Sequence, residues 1–403
     1  MELRRGSRGR IAVCFMALLL VVGVVVSGCG GSSSSGDSTG GGEGGGGGGE
    51  ITFGVLTALS GSAATYGAAE KVSSQIAMEE INAKGGIKVG GGAYKVNLAY
   101  YDQAYDPTKA ATAATKAIQE DGLEFVSNLG GGTVPAVQPI TERAGALLFC
   151  MCAGSEFLGP DHPLTFRPYF ADPDSLKASL AYLKKVNPAA KRVASIYPDE
   201  DVGHEMAPES EQFVKEAGFE GEMVFVPRGA SDYSSTLTKV LGSHPDVINF
   251  GPNDSGTYQT IVKQASQLGY KGPYIFPDTL EFEPTKEAVP SGALEGSITS
   301  PCNLGANTAV AKAWASAYEK KTGGEEPQWW SAQLHDNWML VAAAMEKADS
   351  LEPEAVAKAL SEVSIEGATA GGGTVSYGKE RKFEIPYPVC EVSGGQLKQV
   401  TKG

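Results

Sequence analysis

Strand and helix alternate along this 403-residue chain in two runs, separated by a Pro- and Asp-rich stretch at 167–174. Short apolar runs of strand length recur between longer segments whose apolar residues fall at i, i+3 and i+7. Strands separated by helices of about 10–15 residues pair in parallel and take helices on both faces. Each run therefore reads as a mostly parallel sheet flanked by helices. The class is α/β, with two lobes and a cleft between them. Composition agrees: 42% hydrophobic against 20% charged residues is enough to bury real cores and excludes global disorder.

In the first run, 51–56 is an apolar strand and 66–83 a helix with Ala69, Val72 and Ile76 on one face. Gly85 and Gly86 stop that helix, because Gly tolerates the left-handed conformation at a helix end. Val96, Leu98 and Tyr100 alternate as a strand. Asp106-Pro107 supplies an N-cap and a first-turn proline for a helix carrying Ala111, Ala114 and Ile118, closed by Gly122. Residues 125–129 and 146–150 are two further short strands. The second run reads helix 175–186, strand 192–197, helix 203–217, strand 222–226, helix 233–241, strand 246–250, helix 256–268 and strand 273–276. No sequence repeat relates the two runs.

The N-terminus reads as an export signal. Arg4, Arg5, Arg8 and Arg10 precede an uninterrupted apolar stretch, 11–26, and then Val26-Ser27-Gly28-Cys29. About 16 apolar residues fall short of the ~20 that span a bilayer. The four-residue motif resembles a lipobox, cut before a cysteine that carries lipid. Residues 1–28 are thus expected to be a lipoprotein signal peptide, and 29–50 the lipidated Cys29 plus a Gly/Ser linker. That linker has no apolar residue to pack and an r.m.s. reach on the order of 25 Å. Residues 1–28 carry +3 (four Arg, one Glu), so the remainder of the chain, −14 overall, carries −17. An acidic balance argues against nucleic acid, whose phosphates require clustered Lys and Arg.

Chemistry-bearing residues are sparse. With Cys14 in the signal and Cys29 lipidated, Cys150, Cys152, Cys302 and Cys390 remain, and four cysteines allow three pairings. Cys150 and Cys152 share one strand face near the upper limit for bridging; Cys302 with Cys390 is the preferred pair, the others staying open. His162, His204, His244 and His335 are isolated and read as surface or capping residues. His204-Glu205 lacks the second His of a zinc helix, since position 208 is Pro. The folded body has no nucleophile elbow and no phosphate loop. No metal, no cofactor and no catalysis are expected.

Several blocks resemble one family. LSGSAATYG (59–67), INAKGGIKVGGGAYKV (81–96), YDQAYDPTKAATAATKAI (101–118), QLHDNWMLVAAAMEKA (333–348) and PEAVAKALSEVSIEGATAGGGTVSY (353–377) are similar, in order and spacing, to the periplasmic-binding-protein type I solute receptors of ABC transporters. Within these they are similar to the Leu/Ile/Val (branched-chain amino acid) receptors, with His335 where the family's helix has Tyr. The resemblance covers about 51 to 395. It implies two α/β lobes joined by three crossover hinge strands, near Ala171, Pro301 and 377–386. Lobe 1 would then be 51–171 and 302–377, and lobe 2 would be 172–301 and 378–403.

The resemblance also carries site residues. A solute carboxylate wants backbone N–H groups and hydroxyls at strand C-terminal ends. Ala153-Gly154-Ser155, directly after strand 146–150, lines up with the family loop that provides them; Ser155 also reads as an N-cap. Asp278 stands in the place of the family's ammonium-binding acid, a Glu. Tyr66 matches a Tyr that covers the solute side chain. Thr133 follows Gly130–Gly132, where bare backbone approaches a ligand or a helix begins. Three positions depart from the pattern: Gly130 for a usual Ser, Val202 for a usual aromatic, Asn253 for a common Tyr. Each loses a hydroxyl or a ring, so a larger pocket is expected, with amide polarity added by Asn253.

The expected function is therefore capture of a small amino acid, branched-chain type, by lobe closure. The first lobe presents Ser155, Tyr66 and Thr133; the second brings Asn253 and Asp278. The closed form is recognised by an ABC permease with its ATPase, at the outer face of the cell membrane or in the periplasm, and the receptor is a monomer. Three other readings stand beside it: an amide, urea-like or other small organic solute; a sensory receptor of the same fold; an extracellular hydrolase.

Overall fold

The first sheet orders its strands β2-β3-β1-β4-β5-β6 in the computed structural model, which describes residues 48–401 apart from 62, 170–171, 278–281, 303–307, 326, 328 and 369–372. These strands are β1 (Gly49–Thr57), β2 (Ile87–Val89), β3 (Gly92–Asp102), β4 (Phe125–Leu129), β5 (Leu147–Met151) and β6 (Thr165–Phe166). All neighbours pair in parallel except β2 with β3. β4 and β5 are buried along their whole length, as interior parallel strands are.

The period of two divides their side chains between two helical layers. Phe125, Leu147, Phe149 and Met151 face one core with α1 (Ala64–Ala83), completed by helices from much later in the chain. Val126, Leu148, Cys150 and Cys152 face another with α2 (Pro107–Thr115) and α3 (Val134–Ala144). The Asp106 carboxylate caps α2 by accepting from Lys109 N–H, as its sequence predicts. The helix then widens into a π turn, Lys116–Glu120, before Gly122 turns left-handed at φ +68°.

Two differences from the sequence reading arise here. β1 begins at Gly49, pairing Gly49 with Tyr94 and Glu50 with Lys95, so the linker stops short of residue 50. The Gly-rich stretch after α1 does more than end a helix: Gly90 and Gly91 turn a hairpin between β2 and β3.

The second run forms β7 (Arg192–Pro198), β8 (Glu220–Val226), β9 (Val247–Phe250), β10 (Tyr274–Phe276) and β11 (Ile298–Thr299). Between them lie α4 (Asp172–Val186), α5 (Asp201–Glu216), α6 (Ser234–Gly242), α7 (Ser255–Gln267) and α8 (Phe282–Ala288). Val193, Val247 and Ile275 pack on α4 and α5; Ile196, Ile248 and Phe250 pack on α6 and α7. The chain then contributes α9 (Ala309–Thr322), α10 (Ala332–Ala348) and α11 (Pro353–Leu360) to the first sheet's side. Trp338 of α10 stacks on Phe53 at 4.7 Å and donates its indole N–H to Ser74 Oγ.

A small sheet, β12 (Ser364–Glu366), β13 (Thr374–Tyr377) and β14 (Phe383–Glu384), follows. β15 (Cys390–Ser393) and β16 (Gln396–Gln399) then return to the edge of the second sheet, completing the order β16-β15-β11-β10-β9-β7-β8. Three connecting segments run side by side between the sheets. Arg167 pairs with Lys382 in a parallel bridge, and Cys302 N–H donates to Pro388 O.

Cys302 and Cys390 form a disulfide, the preferred pair of the sequence reading, while Cys150 and Cys152 are free and buried, their Sγ atoms 2.8 Å apart. Unfolding in denaturant without reductant is expected to expose two alkylatable thiols downstream of residue 48, mapping to Cys150 and Cys152. Reduction should raise the count to four. Label on Cys302 before reduction would contradict this pairing.

His335 departs from its sequence reading. It is buried, not a surface or capping residue, with Nδ1 2.8 Å from Asp336 and Nε2 3.4 Å from Glu80. Burial alone would lower its pKa, but the hydrogen bond to Asp336 and the charges of both carboxylates outweigh it and push the imidazole up to about 9. His204 and His244 are exposed, as expected.

Candidate functional site

The loops at the C-terminal ends of the parallel strands meet across the gap between the two sheets, where open α/β sheets bind ligands. On the first sheet's side, the loop after β3 passes through Ala104 and Tyr105, both left-handed at φ 47° and 56°. The Asp102 carboxylate holds this region together. It accepts from Ser60 Oγ and from the N–H groups of Leu59, Ser60 and Ala104, which keep its pKa below the usual range. Gln103, buried, donates to Leu129 O at 2.6 Å and so ties the loop to the end of β4.

Gly130 follows β4 at φ +83°, and a Cβ there would collide with the Tyr105 ring. This corrects one expectation. The side chain missing at Gly130 does not enlarge the cleft, because Tyr105 fills the space. Thr133 is also placed differently from the reading that faces it toward a ligand. Its hydroxyl is buried, bonds to the Leu129 and Gly130 carbonyls at 2.8 and 2.9 Å, and accepts from Asn128 Nδ2. It holds the turn into α3 rather than the cleft.

After β5, Ala153 and Gly154 are buried and Ser155 is half-buried. The loop is anchored from behind by Arg167, whose Nη1 donates to Ala153 O and, at 3.0 Å, to Ser155 Oγ. Ser155 in turn donates to Glu209 Oε2 at 3.2 Å, and Glu209 belongs to α5, on the second sheet's side. Tyr66, on the first turn of α1, is 55% exposed and packs its ring 5.1 Å from Trp330. It stands as an aromatic wall open to solvent.

On the second sheet's side, Val202, in the first turn of α5, packs against a cluster of Tyr197, Met206 and, from across the gap, Ala153. Asn253, after β9, is 4% exposed; its backbone N–H donates to Tyr258 Oη, while its side-chain Oδ1 and Nδ2 have no hydrogen-bond partner. A buried amide with both ends unpaired costs free energy until a partner arrives. Asp278 lies outside the described residues. A cavity of about 490 Å³ adjoins the contact, lined by Ser155, Leu158, Glu209, Lys379 and Lys382 among others.

The structure thus brings Gly130, Ala153, Gly154, Ser155 and Val202 to one contact region, leaves Tyr66 on its rim, and turns Thr133 inward. Sequence reasoning missed Tyr105, Arg167, Glu205 and Glu209. Glu205, on the first turns of α5, lies against the Gly131 backbone, and burial, then the nearby Glu156 and Asp201, push its pKa up to about 7. Its only signal in sequence was a zinc motif that fails. Arg167 was hidden in a stretch that reads as a turn.

Two α/β halves meet at their strand-end loops and are joined by adjacent crossover segments. The chain belongs to the periplasmic binding protein family, whose model matches residues 50–396. The Leu/Ile/Val-binding protein of Citrobacter freundii is 28% identical over 235 residues, 57% of this chain and 61% of that protein. The chain therefore spans about 61% of the first curated relatives' length. The Leu/Ile/Val-binding protein homolog 7 of Brucella abortus (strain 2308) is 27% identical over 348 residues, 82% of this chain and 84% of that one. A solved leucine binding protein, LivK from Thermotoga maritima, shares the fold. It has a TM-score of 0.66 and 23% identity, covering 87% of this chain and 98% of that structure.

Proposed function

We propose that this chain is the extracytoplasmic solute receptor of an ABC importer. It captures a small amino acid, of branched-chain type, by lobe closure and delivers it to a membrane permease; it is a receptor and not an enzyme. The observation that carries the reading is the loop Ala153–Ser155, at a strand end, backed by a buried arginine and set against the opposing half. Such a loop presents N–H groups and a hydroxyl to a carboxylate. Asp278 would face the ammonium and Tyr66 the side chain. The lobes would be 51–171 with 302–377 and 172–301 with 378–403. Cys29 would hold the body to the outer face of the membrane through its lipid.

Asn253 favours a second reading. Its unpaired donor and acceptor match an amide, so an amide or urea-like solute suits the same cleft.

A thermal-shift screen of residues 46–403, refolded to strip carried-over solute, tests both. A solute binding only the native state at 100 times its Kd raises stability by about 2.7 kcal/mol. A selective rise with Leu, Ile or Val is expected. Silence from every amino acid, with a rise for amides, would replace the first reading by the second.

A further inference from the structure

We infer that Ser155 and Glu209 form a polar latch between the two halves: the Ser155 hydroxyl works for closure, and Glu209 is the positioning residue that takes its proton. The inference rests on the solute-receptor reading above and reassigns one group within it. A solute carboxylate is left to the N–H groups of the cradle loop, Ala153–Ser155.

The latch is one end of a face that α5 turns to the first half. Val202, Glu205, Met206 and Glu209 recur at i, i+3, i+4 and i+7, which puts them on one stripe of the helix. Met206 packs with Ala153 of the cradle loop, and Val202 packs against the same cluster. A Cβ on Gly131 would collide with both Glu205 oxygens, so that side chain lies against the turn after β4. Glu209 reaches the turn after β5, where Ser155 Oγ donates to its Oε2 at 3.2 Å. β4 and β5 are neighbours in the first sheet. Adjacent strands and helix side chains four apart are both separated by about 5 Å. The stripe therefore spans the ends of two adjacent strands.

Donors and acceptors fix the direction of the latch. A guanidinium only donates, a carboxylate only accepts, and a hydroxyl has one proton. Arg167 Nη1 donates to Ser155 Oγ at 3.0 Å, so the Ser155 proton points elsewhere, and Glu209 receives it. Ser155 then keeps a spare lone pair but no proton, and a solute carboxylate, which needs a proton, gains nothing from it. With a cation on one side and an anion on the other, both hydrogen bonds of this hydroxyl are charge-assisted. Glu209 is half-buried and has no other hydrogen bond or ion pair among the described residues. Lys382, which lines the same cavity, is engaged by Asp174 and Glu380. Parting the halves breaks the Ser155–Glu209 bond. A contact of this kind favours the closed form, and it strengthens every solute by the same factor, because apparent affinity scales with the competent population.

Two measurements on the full chain test this. The first needs no solute: small-angle X-ray scattering of the parent chain, Ser155→Ala, Glu209→Ala and the double variant. The variants are expected to share one radius of gyration, larger than that of the parent. Glu209→Gln, whose amide oxygen still accepts from Ser155, should stay with the parent. A Glu209→Ala chain as compact as the parent would overturn the inference. The second measures binding of L-leucine and of L-leucinamide, which lacks the carboxylate. Ser155→Ala and Glu209→Ala are each expected to weaken both probes about five- to tenfold, with no further loss in the double variant. A loss confined to L-leucine in Ser155→Ala, or losses that multiply in the double variant, would give the hydroxyl to the solute and overturn the latch. Expansion in a chain that binds neither probe would support the latch and instead remove the branched-chain reading.

Discussion

Replacing Arg167 with Met is expected to lower stability by about 3–5 kcal/mol, the range for breaking a buried ion pair by removing one partner. The guanidinium is fully buried and pairs through Nη2 with Asp174 at 3.4 Å. Asp174 is itself nearly buried and holds Lys382 Nζ at 2.8 Å. Arg167 Nη1 meanwhile satisfies Ala153 O and bonds Ser155 Oγ. Met keeps much of the volume but leaves a buried carbonyl without its donor and Asp174 with one cation instead of two. The backbone here is also engaged, since Arg167 N–H donates to Arg381 O and its carbonyl accepts from Phe383 N–H. One residue thus ties a crossover to the cradle loop. Urea unfolding measures the loss, and solute affinity should fall with it. A loss below about 1 kcal/mol would show that the network is not a stabilising one.

Glu70→Gln is expected to act in the opposite direction, raising stability by about 3 kcal/mol at pH 7 and by almost nothing at pH 4. Glu70 lies on α1, fully buried, accepting from Thr57 Oγ1 at 2.6 Å, with its other oxygen unpaired. Burial outweighs that one hydrogen bond and pushes its pKa up to about 8. Between about 4.5 and 8 the folded chain therefore holds a proton that the unfolded chain has released. The folded state binds more protons, so its stability falls as pH rises through that window. At pH 7 the two and a half units above the ordinary value correspond to about 3 kcal/mol. Gln presents the same acceptor to Thr57 and cannot ionise, so its advantage should appear only above about pH 4.5. Denaturant unfolding of both chains at pH 4 and pH 7 measures the difference. Equal stabilities at pH 7 would mean that Glu70 is ionised in the folded chain.

Elements of local origin were legible in the sequence. Residues 125–129 read as a buried strand and are one, because five mostly apolar residues between turn signals fit the interior of a parallel sheet. Asp106-Pro107 read as a helix start, and Asp106 caps α2. The helices and strands of the second run begin and end within three residues of their expected bounds. Cap chemistry, glycine tolerance and periodicity act within a few residues, so they survive in a one-dimensional reading.

The site was legible only in outline. The loop Ala153–Ser155 was found because its place after a strand is itself sequential information. What fills the gap at Gly130 was not, since Tyr105 lies twenty-five residues earlier and reaches it only through a left-handed loop. Thr133 was assigned to the cleft because position alone does not say which way a hydroxyl turns; the Leu129 and Gly130 carbonyls turned it inward. His335 read as a surface residue because Glu80, one of its partners, is far away in sequence.

By itself, then, the sequence determined the class, the succession of elements and the family to which the chain belongs, all of which depend on neighbours along the chain. Only the tertiary structure decided that Glu205 sits against the Gly131 backbone, that Arg167 braces the loop after β5, and that the Asn253 side-chain amide is buried without a partner. Those outcomes depend on which groups two separate sheets bring within hydrogen-bond reach of each other. Side chains compete for such places in three dimensions, and no spacing along the chain records the winner.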